Sequence, residues 1–226
     1  MKVEPGKVYA VITGDIVASS KHGPASRERL YRLMREEASV MRGWLGPVMP
    51  LDLDIYGGDA WQLLLADPSK ALAAALYYRA FLIAGACDTR VAVAVGTVDF
   101  VPQERVSEGD GEAFRLSGRL ASEAPEGRRM WFGLGDPSQS APWDTVFDLI
   151  DSIITRHWTQ KRALAVSGAV RSLKLGEIAD LWSPEIADST VHSHLQGACC
   201  PAISRAERQF SRSWGGMGSG TLALVG

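Results

Sequence analysis

Gly57-Gly58-Asp59 joins two apolar, β-forming stretches, "VMPLDLDIY" at 48–56 and "AWQLLLA" at 60–66. No other feature restricts the fold as much. Two glycines between such stretches predict a hairpin with the acid in its turn. The chain therefore contains an antiparallel pair whose apolar face needs cover.

What flanks the hairpin sets the topology. "KVYAVITGDIV" reads as a buried strand running into a turn at Gly14-Asp15. "PASRERLYRLMREEASVMRGWL" places Leu30, Leu33, Met34, Val40 and Met41 at helical spacing, with Pro24 at its start and Gly43 and Gly46 near its end. After the hairpin come a helix in "DPSKALAAALYYRAFLIAG", capped by Asp67 or Ser69, and a strand in "TRVAVAVGTVDFV". "GEAFRLSGRLASEA" and "GRRMWFGLG" add a helix and a short strand. The order β-α-β-β-α-β is the split βαβ pattern, an α+β, ferredoxin-like antiparallel sheet with its helices on one face.

"DPSQSAPWD" at 136–144 reads as a Pro/Ser-rich connector. It predicts a sheet domain over 1–140, a small all-α domain over 145–214 and a glycine-rich tail at 215–226, whose "TLALV" is a candidate strand. At 46% hydrophobic and 22% charged, the 226 residues suit an ordinary globular protein. No apolar run approaches the roughly 18–20 residues that span a bilayer. "MKVEPGKVYAVITGD" puts an acid and a proline ahead of its apolar run, unlike a signal peptide, so a cytoplasmic location is expected. Cys87, Cys199 and Cys200 form neither a disulfide framework nor a metal-ligand spacing. Residues 1–150 carry 16 Lys/Arg against 20 Asp/Glu, and residues 151–226 carry 8 against 6. That mild split permits nucleic-acid binding by the second part without demonstrating it.

In a split βαβ sheet the first strand is central and the hairpin pairs beside it. Asp15 at the end of that strand and Asp59 in the hairpin tip then share one edge. Two carboxylates so placed repel unless something positive lies between them. A hard cation, Mg²⁺ or Mn²⁺, is the usual solution, with phosphate oxygens completing its shell. Of the candidate nucleotide-binding glycines, Gly14 would let the chain turn straight after the strand, and Gly57 and Gly58 would let backbone approach the ligand closely. The alternative is two ordinary turn aspartates.

"VITGDIVASS", "YGGDAWQLLL", "RVAVAVGTV" and "GEAFRLSGRLA", in that order, resemble the hallmarks of the SatD family. More distantly they resemble the palm-type catalytic domain of class III nucleotidyl cyclases and diguanylate (GGDEF) cyclases, over residues 7–135. The resemblance implies a metal site at Asp15, the backbone of Ile16, and Asp59, and a transition-state arginine at Arg119. It also marks departures. Arg115 stands where cyclases have asparagine, Ile55 where they have a purine-reading lysine, and Ala60-Trp61 follow Gly-Gly-Asp in place of the Glu of a diguanylate cyclase. Glu108 and Asp110 lie near the second base-reading position. Arg115 and Arg119, one turn apart on a helix, are candidates to grip phosphates together, against a solvated basic stripe.

The second half resembles the helix-turn-helix segment of many SatD-like proteins. In "LKLGEIADLWSPEIADSTVHSHL", Ile178, Ala179 and Leu181 suit a positioning helix, and Val191 and Leu195 anchor the next one. Ser189, Thr190, His192, Ser193 and His194 then form a polar side able to meet DNA, with Lys174, Arg162 and Arg171 for backbone contacts. The turn through Ser183-Pro184-Glu185 is longer than the tightest motif, and a helical cap or dimerisation bundle is the competing reading.

Three functions fit these residues. The first is a SatD-like regulator binding a nucleotide or phosphorylated ligand with a divalent metal, coupled to DNA. The second is an active cyclase or nucleotidyltransferase working as a homodimer. The third is a non-catalytic interaction module.

Overall fold

The computed structural model describes residues 3–4, 6–18, 24–102, 105–123 and 125–214. The tail at 215–226, with its candidate strand, lies outside the described residues. Strands β1 (Val8–Ile16), β2 (Asp54–Tyr56), β3 (Ala60–Leu65), β4 (Thr89–Thr97) and β5 (Met130–Gly133) form one sheet in the order β2-β3-β1-β4-β5. β1 runs antiparallel to both β3 and β4, β2 is antiparallel to β3, and β5 lies parallel to β4. The split βαβ arrangement expected from the sequence is present, with β1 central and the hairpin beside it.

Eight helices follow in chain order among the described residues: α1 (Pro24–Leu45), α2 (Ala71–Ala84), α3 (Glu112–Ser122), α4 (Pro137–His157), α5 (Gln160–Val170), α6 (Leu175–Ala179), α7 (Asp188–Gly197) and α8 (Cys200–Trp214). Alternation along the strands divides the sheet into two faces. Ala10, Ile12 and Ile16 join Leu63, Leu65, Val91, Val93 and Val95 in one cluster with Met34 and Met41 of α1 and Leu72 and Leu76 of α2. Tyr9, Val11 and Leu64 point the other way and pack on Ala113 and Phe114 of α3. The expectation of helices on one face is thus corrected, since α3 covers the second. The reason is legible in β4, whose "VAVAV" run is apolar on both sides and needs cover on both.

The expected boundary near residue 140 also gives way. "DPSQSAPWD" forms the start of α4: Asp136 caps it by accepting from Ser138 N at 2.9 Å, Pro137 opens the first turn, and Pro142 lies inside the helix. Phe147, Ile150, Ile154, Val166, Phe210 and Trp214 belong to the same buried cluster as α2 and Phe132 of β5. Sheet and C-terminal helices therefore share one core. Ala165, Ile178, Ala179 and Val191 form a smaller cluster between α5, α6 and α7. No described helix is long and apolar enough to cross a membrane.

Candidate functional site

Asp15 stands one residue before the end of β1, opposite Ala60 of β3 on one side and Arg90 of β4 on the other. The next amide, Ile16 N, donates to the carbonyl of Asp59 at 3.2 Å. The two acids therefore meet at one end of the sheet. Gly57 and Gly58 take φ values of 62° and 97°, and nothing lies within 4 Å of where a Cβ would stand on either, so the hairpin tip is open. Gly14 has a different role from the one expected. The strand continues past it to Ile16, and a Cβ at Gly14 would meet the Trp61 ring at 2.5 Å. It admits the indole; it does not turn the chain.

The positive charge that answers Asp15 is a side chain, on the strand across β1 from the hairpin. Arg90 Nε donates to the two Asp15 carboxylate oxygens at 2.9 and 3.2 Å, and its Nη2 donates to Oδ2 as well. That bond holds the guanidinium above its ordinary range, burial opposes it, and Asp15 and Asp59 both add their charge. Motif reading passes over Arg90. The signal was its place as the first charged residue of "TRVAVAVG", which antiparallel pairing sets opposite an acid at the end of β1. Behind the pair, Trp61 Nε1 donates to Thr89 Oγ1 at 2.8 Å, and Thr89 Oγ1 donates to the Asp15 carbonyl at 2.8 Å. The backbone carrying Asp15 is fixed from within the core.

Beside the acids, β2 contributes two groups that sequence reading did not single out. Asp54 accepts from Ser107 N at 3.1 Å and from the Ser107 hydroxyl, and Arg105 lies 3.4 Å away. Burial acts upward on this carboxyl, but the Ser107 and Arg105 contacts outweigh it and hold it below the usual range. Burial, then the charges of Asp54 and Asp15, push the Tyr56 phenol up. Deeper on this face, Gln62 Nε2 donates to Thr13 Oγ1 at 2.8 Å, and Thr13 Oγ1 lies 2.9 Å from Ser117 Oγ of α3.

The arginines of α3 do not converge on the acids. Ser117 faces the sheet, so Arg119, two residues on, is turned about 200° around the helix and is exposed. Arg115 donates to Asp110 at 2.7 Å and to Asp99 at 3.3 Å. Those two acids hold its guanidinium above its ordinary range. Of the two arginines expected to grip phosphates together, Arg115 is paired with two acids and Arg119 turns to solvent. Asp110 is spent on Arg115 and on Gly111 N, and the exposed Glu108 lies 3.7 Å from Arg105.

A divalent cation can be tested against this donor set. Asp15, Asp59 and the main chain at Ile16 offer oxygen only, as a hard cation requires. Among the described residues no group of three or more His, Cys, Asp or Glu is placed to hold a metal ion. Arg90 engages both Asp15 oxygens. The donors fit in kind, and a cation has to displace that guanidinium.

In the C-terminal half, Ile178, Ala179 and Val191 are buried as expected of packed helices, while Ser189, Thr190, His192 and Ser193 are exposed. His194 is different: it is half-buried, and its ring stacks on Trp182 at 5.8 Å and 10°. Ser193 Oγ donates back to Ser189 O at 2.9 Å. Lys174 caps α6, its backbone N donating to Glu177 Oε2 at 2.7 Å. Residues 180–187 separate α6 from α7, and His192 opens onto a cleft shared with α8.

No family model and no curated protein matches this chain. Among solved structures, the chain is similar to the guanylyl cyclase Cya2 at 14% identity and a TM-score of 0.42, covering 60% of this chain and 77% of that one. It is also similar to a bacterial light-regulated adenylyl cyclase at 14% identity and a TM-score of 0.35, covering 55% and 74%. Both neighbours are nucleotide cyclases. At such low identity and overlap, neither bears on what the acids do.

Proposed function

We propose that this chain is a ligand-binding regulator of the SatD type, which takes up a nucleotide or other phosphorylated small molecule at the Asp15–Asp59 end of its sheet. The observation that carries this reading is the meeting of Asp15, Asp59 and Arg90 beside an open Gly57-Gly58 tip. Asp15, Asp59 and the Ile16 main chain would hold Mg²⁺ or Mn²⁺, whose chemistry there is neutralisation of phosphate charge. Arg90, freed from Asp15, is then placed to donate its planar fork to a phosphate oxygen. Thr89 and Trp61 keep the Asp15 backbone in position during that exchange. Binding is favoured over turnover because Arg115 is held by two acids and Arg119 faces solvent.

The test is thermal denaturation with each of the four ribonucleoside triphosphates, with and without Mn²⁺. A ligand that binds only the folded state raises the midpoint. Asp15→Asn and Asp59→Asn should each abolish the metal-dependent part of that rise. A wild-type chain indifferent to all four overturns the proposal.

A second reading concerns DNA. The buried Ile178–Ala179–Val191 contact beneath exposed Ser189, Thr190 and Ser193 supports a helix-turn-helix role for α6 and α7. Electrophoretic mobility shift with fragmented genomic DNA tests it, and retention of affinity in Thr190→Ala/Ser193→Ala would count against α7 as the contact surface.

A further inference from the structure

A cleft of about 420 Å³ lies between α7 and α8, far along the chain from the acid pair. α7 lines it with His192, Leu195 and Gln196, and α8 with Ser204, Arg205 and Arg208 over the buried Cys200. Each set is spaced by three and four residues, so two helical stripes face each other across the gap. The walls are anchored. Val191 and Ile203 are buried, and Trp158 Nε1 donates to the Ala198 carbonyl at 3.0 Å where the two helices join.

The charge of this cleft has one sign. No carboxylate lines it, and its charged side chains are Arg205 and Arg208. Neither arginine forms an ion pair among the described residues. Glu207, next to Arg208 in sequence, is half-buried; burial raises its carboxyl, and the charges of Lys70 and Arg208 pull the other way. On the far side of α7, Lys161 and Arg162 act on His194.

The donors suit a tetrahedral oxyanion. One guanidinium fork can take two oxygens of the tetrahedron, and the second fork, the Ser204 hydroxyl, the Gln196 amide and the His192 ring can share the rest. Leu195 and Pro201 offer an apolar edge to the organic part of a ligand, and the volume lies within the range of small-molecule sites. We propose that the α7–α8 cleft is a second binding site, specific for the phosphate group of a small phosphate ester or of a nucleic-acid backbone. It does not depend on the reading of the sheet site.

The experiment is isothermal titration of the full chain with pyrophosphate, with ribose 5-phosphate and with a short DNA duplex. Arg205→Ala/Arg208→Ala should weaken binding by about tenfold or more, as expected for loss of charge-assisted bonds, at an unchanged melting midpoint. Gln196→Ala should weaken it less. Binding of the two small probes assigns the cleft to a small ester, and binding of the duplex alone assigns it to a nucleic-acid backbone. In either case Arg32→Ala, at an exposed arginine of α1, should leave it intact. Wild type that binds none of the three probes overturns the proposal, as does a double variant that binds as wild type does.

Discussion

Arg79 on α2 donates through Nη1 to Oδ1 of Asp151 on α4 at 2.6 Å, with the arginine side chain 0% and the aspartate 4% exposed. Asp88 takes the Nε edge at 2.9 Å, and Arg129 N donates to the second Asp151 oxygen at 2.7 Å. Every member of this buried set is answered by another, which is the condition for charge to be tolerated there. Asp151→Ala leaves Arg79 without that partner and should lower stability by about 3–5 kcal/mol in urea denaturation. Circular dichroism and tryptophan fluorescence should give one coincident transition, since Phe147, Phe210 and Trp214 share a core with Phe132. Two separate transitions would mean that the helical half folds alone.

Glu37 on α1 predicts a pH dependence. It is 5% exposed, and its Oε1, the Tyr78 hydroxyl and Arg171 Nε are buried without a hydrogen-bond partner among the described residues. Burial pushes the Glu37 carboxyl from 4.5 up to about 7, against the pull of Arg171. The folded value lies above the unfolded one, so the folded state binds the proton more tightly. This contribution is complete below the unfolded value and is lost as pH rises through the folded one. At about 1.4 kcal/mol per pH unit the loss is about 3 kcal/mol. Glu37→Gln should flatten the slope of stability between about pH 5 and about pH 8, measured by urea midpoints. An unchanged slope would show that Glu37 does not titrate there.

Arg90→Ala should separate metal from phosphate. With the guanidinium gone, Mn²⁺ should bind about fivefold more tightly, the equivalent of about 1 kcal/mol for a partly exposed ion pair. Triphosphate affinity at saturating Mn²⁺ should fall. Electron paramagnetic resonance of free Mn²⁺ reads the first effect directly. Equal Mn²⁺ affinity in both proteins would mean that Arg90 and the ion do not compete for Asp15.

Gly14→Ala places a methyl against the Trp61 ring and the Arg90 carbonyl. The backbone side cannot yield, so a cost of about 1–3 kcal/mol is expected. The indole should move off Thr89 Oγ1, with a shift in tryptophan emission. Unaltered stability would place the indole elsewhere in solution.

Much of the fold could be read from the residues. The hairpin at Gly57-Gly58, the central β1 and the approach of its Asp15 end to the hairpin tip all follow from turn chemistry and from the order of strands and helices. Four things did not. Pro137 and Pro142 marked a connector by composition, yet Asp136 as a cap made the same residues a helix start. Arg79 sits in an Ala/Leu-rich helix, where only the three-dimensional approach of Asp88 and Asp151 accounts for it. Arg90 needed the register of β1 against β4, which local sequence does not state. The arginines of α3 were legible as a shared helical face but not as a face turned from the sheet, which depends on Ser117 meeting Thr13.

The segment Asp88-Thr89-Arg90 serves three masters at once. Asp88 accepts from Arg79 and Arg129, Thr89 holds the Asp15 carbonyl, and Arg90 covers the Asp15 carboxylate. Only two peptide bonds separate Asp88, which shares Arg79 with Asp151 of α4, from the residue that a bound ligand would have to move. The ligand-facing arginine and the carboxylate that shares a partner with the helical half thus stand on one short run of backbone.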